Sequence, residues 1–160
     1  MAETVHLFLK ANNSDIQGDS TQTSLGRENS IECLEFWHPA KAGTLSTSGR
    51  SSGSKRQYGP IVFVKRIDKS SPLLMKAMCS NSVVQGKFLF YRPNPTGDGT
   101  TEQFYTIEIK QARIIAVTQY VPDVLNPDLV SYPPMEEVSI SFHSVKWTFT
   151  NGGVEHEDFA

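Results

Sequence analysis

The chain has 160 residues, of which 38% are hydrophobic, 10% aromatic and 20% charged, with a formal charge of −2. That length suits one domain, expected over 1–160, with a real core, and the hydrophobic content is too high for a disordered chain. No stretch approaches the ~20 apolar residues of a membrane-spanning helix, and the near-neutral charge argues against a nucleic-acid partner.

The N-terminus, Met1 to Leu9, has no basic region followed by a long apolar one, so no signal peptide is visible and folding in a reducing cytosol is expected. Cys33 and Cys79 are too few for a disulfide framework and read as small buried apolar groups. In the first predicted strand, Val5, Leu7 and Leu9 share a face. Ile31 to Trp37 forms the second. Glu35 is not expected unpaired in a core, which places Leu34 and Phe36 inward and Cys33, Glu35 and Trp37 outward. Trp37 is then either covered by the segment that follows or a contact residue.

That segment, Pro39 to Pro60, is rich in Gly and Ser and reads as a long loop. Loops of this length in a compact domain are usually functional or disordered. Ile61 to Arg66 is a short third strand. A helix follows over Ser70 to Cys79, with Ser71 as N-cap, Pro72 at the first helical position, Leu74, Ala77 and Met78 on one stripe, and Asn81 as its stop. Strand four, Gly86 to Arg92, leads through a Pro- and Gly-rich turn into a long fifth strand, Phe104 to Thr118. Its apolar phase slips from Tyr105, Ile107 and Ile109 to Ala112, Ile114 and Ala116. Glu137 to Thr150 slips likewise, from Val138, Ile140 and Phe142 to Val145, Trp147 and Phe149. Two strands that each change face indicate a closed barrel or a tightly packed sandwich.

Chemistry is sparse. His6, His38, His143 and His156 have no metal-ligand spacing with one another or with a cysteine pair, so no metal is expected. There is no nucleophile elbow, no phosphate-binding loop and no dinucleotide fingerprint, so neither a cofactor nor a catalytic residue is expected. An enzyme using His143 or Cys33 is the outlying alternative. Charge is segregated instead. Between Phe36 and Ile67 there is no acid, only Lys41, Arg50, Lys55, Arg56, Lys65 and Arg66. Beyond Arg113 only Lys146 is basic, against Asp123, Asp128, Glu136, Glu137, Glu155, Glu157 and Asp158.

Several runs together resemble one family. Lys65-Arg-Ile-Asp-Lys-Ser-Ser-Pro-Leu-Leu-Met-Lys-Ala77 resembles the strand-to-helix signature of the Hcp proteins of bacterial type VI secretion systems. So do Ile16-Gln-Gly-Asp-Ser20, Phe90-Tyr-Arg92 with Glu102-Gln-Phe-Tyr105, and the run from Glu137 to Thr150. They occur in the expected order over nearly the whole chain, with the poorest fit from Trp37 to Gly59.

The resemblance implies a mainly β fold, a small two-sheet β-barrel with one short side helix. It implies six copies closing into a ring around a channel and rings stacking into a tube that a contractile sheath drives out of the cell together with spike proteins. It implies no catalysis, no membrane insertion, residence in the cytoplasm before assembly, and secretion without a signal peptide. Effector proteins are held in the channel; a free ring that carries effectors, with stacking secondary, is the alternative. Cys33, Glu35 and Trp37 would face channel and cargo, although Trp37 replaces the small polar residue expected there. The loop at about 39–58, including Lys41, Leu45, Arg50, Lys55, Arg56 and Tyr58, would contact the neighbouring ring. Asp123, Asp128, Glu155, Glu157 and Asp158 would supply the acidic counter-surface, so tube length is expected to fall as salt rises.

Overall fold

The computed structural model describes residues 3–42 and 56–160. Leu45, Arg50 and Lys55, three of the expected stacking residues, lie outside the described residues.

β1 (Thr4–Ala11) carries Leu7 and Leu9 into the core and turns back into β2 (Ser14–Ile16). Asn12 and Asn13 make that turn at φ 50° and 66°, the left-handed pair that a two-residue hairpin requires and asparagine tolerates. β3 (Ile31–Trp37) is followed by the ribbon of β4 (Ala40–Lys41) and β5 (Gln57–Tyr58), then β6 (Ile61–Arg66), α1 (Ser71–Cys79), β7 (Val84–Pro93) and β8 (Thr101–Tyr120). β9 (Met135–Ser141), β10 (Ser144–Phe149) and β11 (Val154–Phe159) complete the chain.

The pairing order β8–β7–β1–β3–β6–β9 closes, because β9 pairs with β8 as well as β6. The expected barrel is therefore one continuous antiparallel ring, and closure leaves those six strands without a bare edge. β8 makes it possible. Its first half lies between β7 and β10; its second half, from Arg113, pairs with β9. The joint is Gln111, at φ 50°, where the apolar phase passes from Ile109 to Ala112. A second irregularity between Ile114 and Ala116 turns Val117 inward and Ala116 out, so the expected phase holds only to Ile114. The expected strand from Glu137 to Thr150 is two strands, β9 and β10, broken at Phe142 and His143. β11, expected to be a solvated acidic tail, pairs along the whole of β10.

The core holds Leu7, Ile31, Phe63, Phe88, Ile109, Ile140 and Val145, each essentially without solvent contact. At Gly86 a Cβ would stand 2.7 Å from the Phe8 carbonyl oxygen, so only glycine lets β7 approach β1 this closely. α1 buries Leu74 and Ala77 and packs on β8. Its end is a Schellman motif, with Asn81 at φ 51°, its N–H donating to Met78 O and the Ser82 N–H to Ala77 O.

The helix start differs from expectation. Ser70 holds the cap position without a side-chain cap bond, and Ser71 is the first helical residue. The Ser71 hydroxyl instead donates to Glu136 Oε1 (2.8 Å) and accepts from the Asp68 N–H (3.0 Å). Cys79 is also corrected: it is exposed.

Candidate assembly interface

The surface that the sequence assigns to the channel is the outer face of β3. A bulge between Cys33 and Glu35 breaks its alternation: Cys33 faces Lys65 and Glu35 faces Val64 across β6, with Leu34 left over. The inserted residue reverses part of the expected pattern. Cys33 is buried in the core, Leu34 points out, and Phe36 still packs inward against Phe88 and Phe90. Burial pushes the Cys33 thiol well above its ordinary value, against the opposing pull of the Lys65 cation. Cys33 is thus removed from the expected channel-facing set. Glu35 is exposed as expected, and Trp37 is 64% exposed. Both line a shallow groove of about 790 Å³ with Pro39, Pro60, Val62 and Glu137.

The long loop leaves this face through the β4–β5 ribbon. Its neck is tight: the Gly59 N–H donates to Pro39 O (3.2 Å), and a Cβ on Gly59 would lie 2.7 Å from Pro39 Cγ. Lys41 is exposed on β4. Arg56 grips Asp158 of β11 through Nε and Nη2, the latter at 2.7 Å, and Tyr58 Oη donates to the same carboxylate at 2.5 Å. The Arg56 and Tyr58 donors hold the Asp158 carboxyl down at about 2. Arg56 and Asp158 were expected to meet across stacked rings; they satisfy each other within one chain, because β11 folds back beside the ribbon.

The expected acidic counter-surface separates into two. Glu155 pairs with Lys146 (3.3 Å) and Glu157 accepts from the Ser144 hydroxyl (3.3 Å), both alongside Asp158 on the β10–β11 hairpin. Asp123 and Asp128 sit in the β8–β9 connection, where the Asp123 carboxylate accepts the Leu125 N–H (2.9 Å) and Asn126 Oδ1 accepts the Asp128 N–H (2.9 Å).

Those turns shape a surface that sequence reading missed. Residues 121–134 hold Val124 at 72%, Leu125 at 87% and Val130 at 70% exposed, with Tyr132 exposed beside them. The side chains are apolar and the backbone under them is pinned by local hydrogen bonds, including Tyr132 N–H to Leu129 O (3.0 Å). Such a patch is typical of an interaction site. The available signal was the interleaving of Val and Leu with Pro, Asp and Asn, which fits neither a strand nor a helix.

One buried network supports the whole arrangement. Lys65 and Glu136 are both fully buried, with Nζ 2.5 Å from Oε1. Lys65 also reaches Asp68 Oδ1 (3.0 Å), Arg66 O (2.8 Å) and Ser71 Oγ (3.1 Å), and Gln119 Nε2 donates to Glu136 Oε2 (3.0 Å). Burial pushes the Asp68 carboxyl up, but bonds from Ser70, the Asp19 N–H and Lys65 outweigh it and leave it low. The network joins β6, β8, β9 and the start of α1. Its members bond to one another, which is the signature of a structural brace.

The chain matches the family described as "Type VI secretion system effector, Hcp" over residues 8–149. The protein belongs to the Hcp family. It is 27% identical over 134 residues to the "Major exported protein" of Pseudomonas aeruginosa, covering 83% of this chain and 76% of that one. A double mutant of Hcp1 from E. coli EAEC 042 superposes with a TM-score of 0.83 at 26% identity, covering 99% of both chains. Hcp3 of Pseudomonas aeruginosa, a secreted protein, shares the fold at a TM-score of 0.74 and 20% identity over 99% of this chain and 98% of its own. The Hcp assignment from sequence is thereby established, as is its small β fold with one short α-helix.

Proposed function

We propose that this Hcp chain is a non-catalytic structural subunit of the type VI secretion inner tube. Six copies close into a ring around a channel, rings stack, and the stack is exported with effector proteins held inside, working against a contractile sheath and spike. Export agrees with the name of the exported Pseudomonas relative. The observation that carries the reading is the family match over residues 8–149 together with the exposed apolar patch at 121–134. A lone chain leaves Leu125 almost wholly in water, whereas a neighbouring copy in a heterologous contact would cover it. Glu35 and Trp37 offer the groove through which cargo is held. An exposed tryptophan there also suits a free ring that acts as an effector carrier, the second reading.

Native mass and electron microscopy test this. A species at six times the 17.8 kDa chain mass, forming annuli and stacked tubes, is expected. Leu125→Asp is expected to lower the assembled fraction at least tenfold, since a carboxylate buried without a partner costs more than ~1.4 kcal/mol. A monomer at every concentration overturns both readings. Rings that bind an effector but never stack leave only the carrier.

A further inference from the structure

The side chains of Tyr58, Phe142 and Trp147 converge on His38, one residue beyond β3. The ring of Tyr58 (β5) lies parallel to the imidazole, with planes 10° apart and centroids 6.4 Å apart, and Trp147 (β10) stacks at 27° and 5.9 Å. Phe142 meets it edge-on at 5.7 Å. The Trp147 indole N–H donates to His38 Nε2 at 3.1 Å. An indole nitrogen can only donate, so Nε2 must be the acceptor and the imidazole proton must sit on Nδ1. The contact therefore exists only while His38 is neutral. On the far face of Trp147, His156 of β11 stacks at 4° and 5.7 Å.

We propose that His38 is a proton-operated latch: when neutral it fastens the β4–β5 ribbon, the neck of the long loop, to β10 and β11, and when protonated it lets the neck go. Protonation puts an N–H on Nε2 opposite the indole N–H, two donors where one donor and one acceptor had been. Leaving both buried donors unmatched costs more than the cation gains from the facing aromatic rings. Among the described residues no acid is bonded to His38 to rescue the cation. Asp158 is the carboxylate of the cluster, and Arg56 and Tyr58 already hold it. The remaining titratable neighbours are Tyr58, whose hydroxyl is pushed up by burial and then by its bond to Asp158, and His156 beyond Trp147.

The direction follows from linkage. Burial lowers the His38 pKa in the docked neck, while a released His38 returns towards the ordinary 6.5. The released form thus binds the proton first. Docking is at full strength above that value and weakens as pH falls towards the docked one, by up to tenfold per pH unit. Asp158, held at about 2, stays ionised throughout and does not contribute.

Hydrogen–deuterium exchange of the full chain tests the latch at the Gly59 amide, which is bonded to Pro39 O. After correction for the intrinsic pH dependence of exchange, opening at Gly59 is expected to rise, by up to about eightfold, between pH 7 and pH 5.5. His38→Gln keeps an oxygen acceptor for the indole but cannot titrate, so the rise should vanish. His156→Gln should keep it. Should His38→Gln fail to fold, NMR titration of the native imidazole replaces it, and the rise in Gly59 opening must begin near 6.5 and level off at the His38 midpoint. No rise in the native chain, a rise that survives His38→Gln, or opening out of step with His38 overturns the proposal. The latch belongs to the single chain, so a negative result leaves the tube reading untouched.

Discussion

Removing the ammonium of Lys65 while keeping its hydrocarbon stem, as Lys65→Met does, isolates the worth of the buried brace. Glu136 would keep the Ser71 and Gln119 donors at 2.8 and 3.0 Å but lose its charge partner Lys65, with no solvent exposure to compensate. Stranding one member of a buried ion pair costs about 3–5 kcal/mol. For 160 residues each kcal/mol moves the melting temperature by roughly 2–4 °C, so a fall of about 6–20 °C is expected. Removing both charges, in Lys65→Met with Glu136→Met, replaces the pair by stems of similar volume and should recover most of the loss. Urea unfolding followed by circular dichroism, at several protein concentrations because association adds its own stabilisation, measures all three proteins. A single variant within about 1 kcal/mol of the parent, or a double variant no better than the single, would refute the view that the brace is a paired buried charge.

Acid should act on the barrel through His6 as well. Its Nδ1 is bonded to Ser30 Oγ at 2.9 Å, and burial, then the Arg27 guanidinium, lower its pKa from 6.5 to about 4, against the pull of Glu32. The native state holds it neutral and the unfolded chain protonates it first, so stability should drain between pH 6.5 and 4 by about 3 kcal/mol. His6→Gln should flatten that part of the pH–stability curve; an unchanged slope disproves the assignment. The two cysteines should separate cleanly by reactivity. A thiol reagent should modify exposed Cys79 in the native protein and reach buried Cys33 only on unfolding, and equal rates would contradict the β3 bulge.

Elements whose pattern is local were legible in the sequence. The alternation of Leu7 and Leu9, the stripe of Leu74 and Ala77 and the slip from Ile109 to Ala112 all follow from one face being buried, and each stands in the structure. The single-residue bulge at Leu34 was not legible, because the residues around it fit either phase and only the pairing with β6 decides. That is why Cys33 was placed on the wrong side. β11 was hidden for a related reason: Glu155, His156, Glu157 and Asp158 show no apolar alternation, since the strand is exposed and is ordered by pairing with β10. The Lys65–Glu136 brace joins residues 71 apart and has no local trace at all.

The same separation of local from long-range information bears on how copies would meet in the proposed tube. Opposite charges far apart in sequence invite the thought that they meet between molecules. Here Arg56 and Asp158, 102 residues apart, meet within one, and Glu155 and Glu157 are engaged on their own hairpin. An intramolecular pair offers little to a neighbour, because its charges already cancel over a distance shorter than the Debye length. Among the described residues, these pairs still leave Leu125 and its neighbours uncovered, and burial of that patch is indifferent to screening and strengthened by excluded salts such as sulfate. Tube length by electron microscopy should therefore change little from 0.05 to 0.5 M sodium chloride, within roughly twofold, and grow in sulfate. Tubes that shorten steeply with chloride would return the contact to charged groups, and Leu125→Asp would then be expected to leave assembly intact.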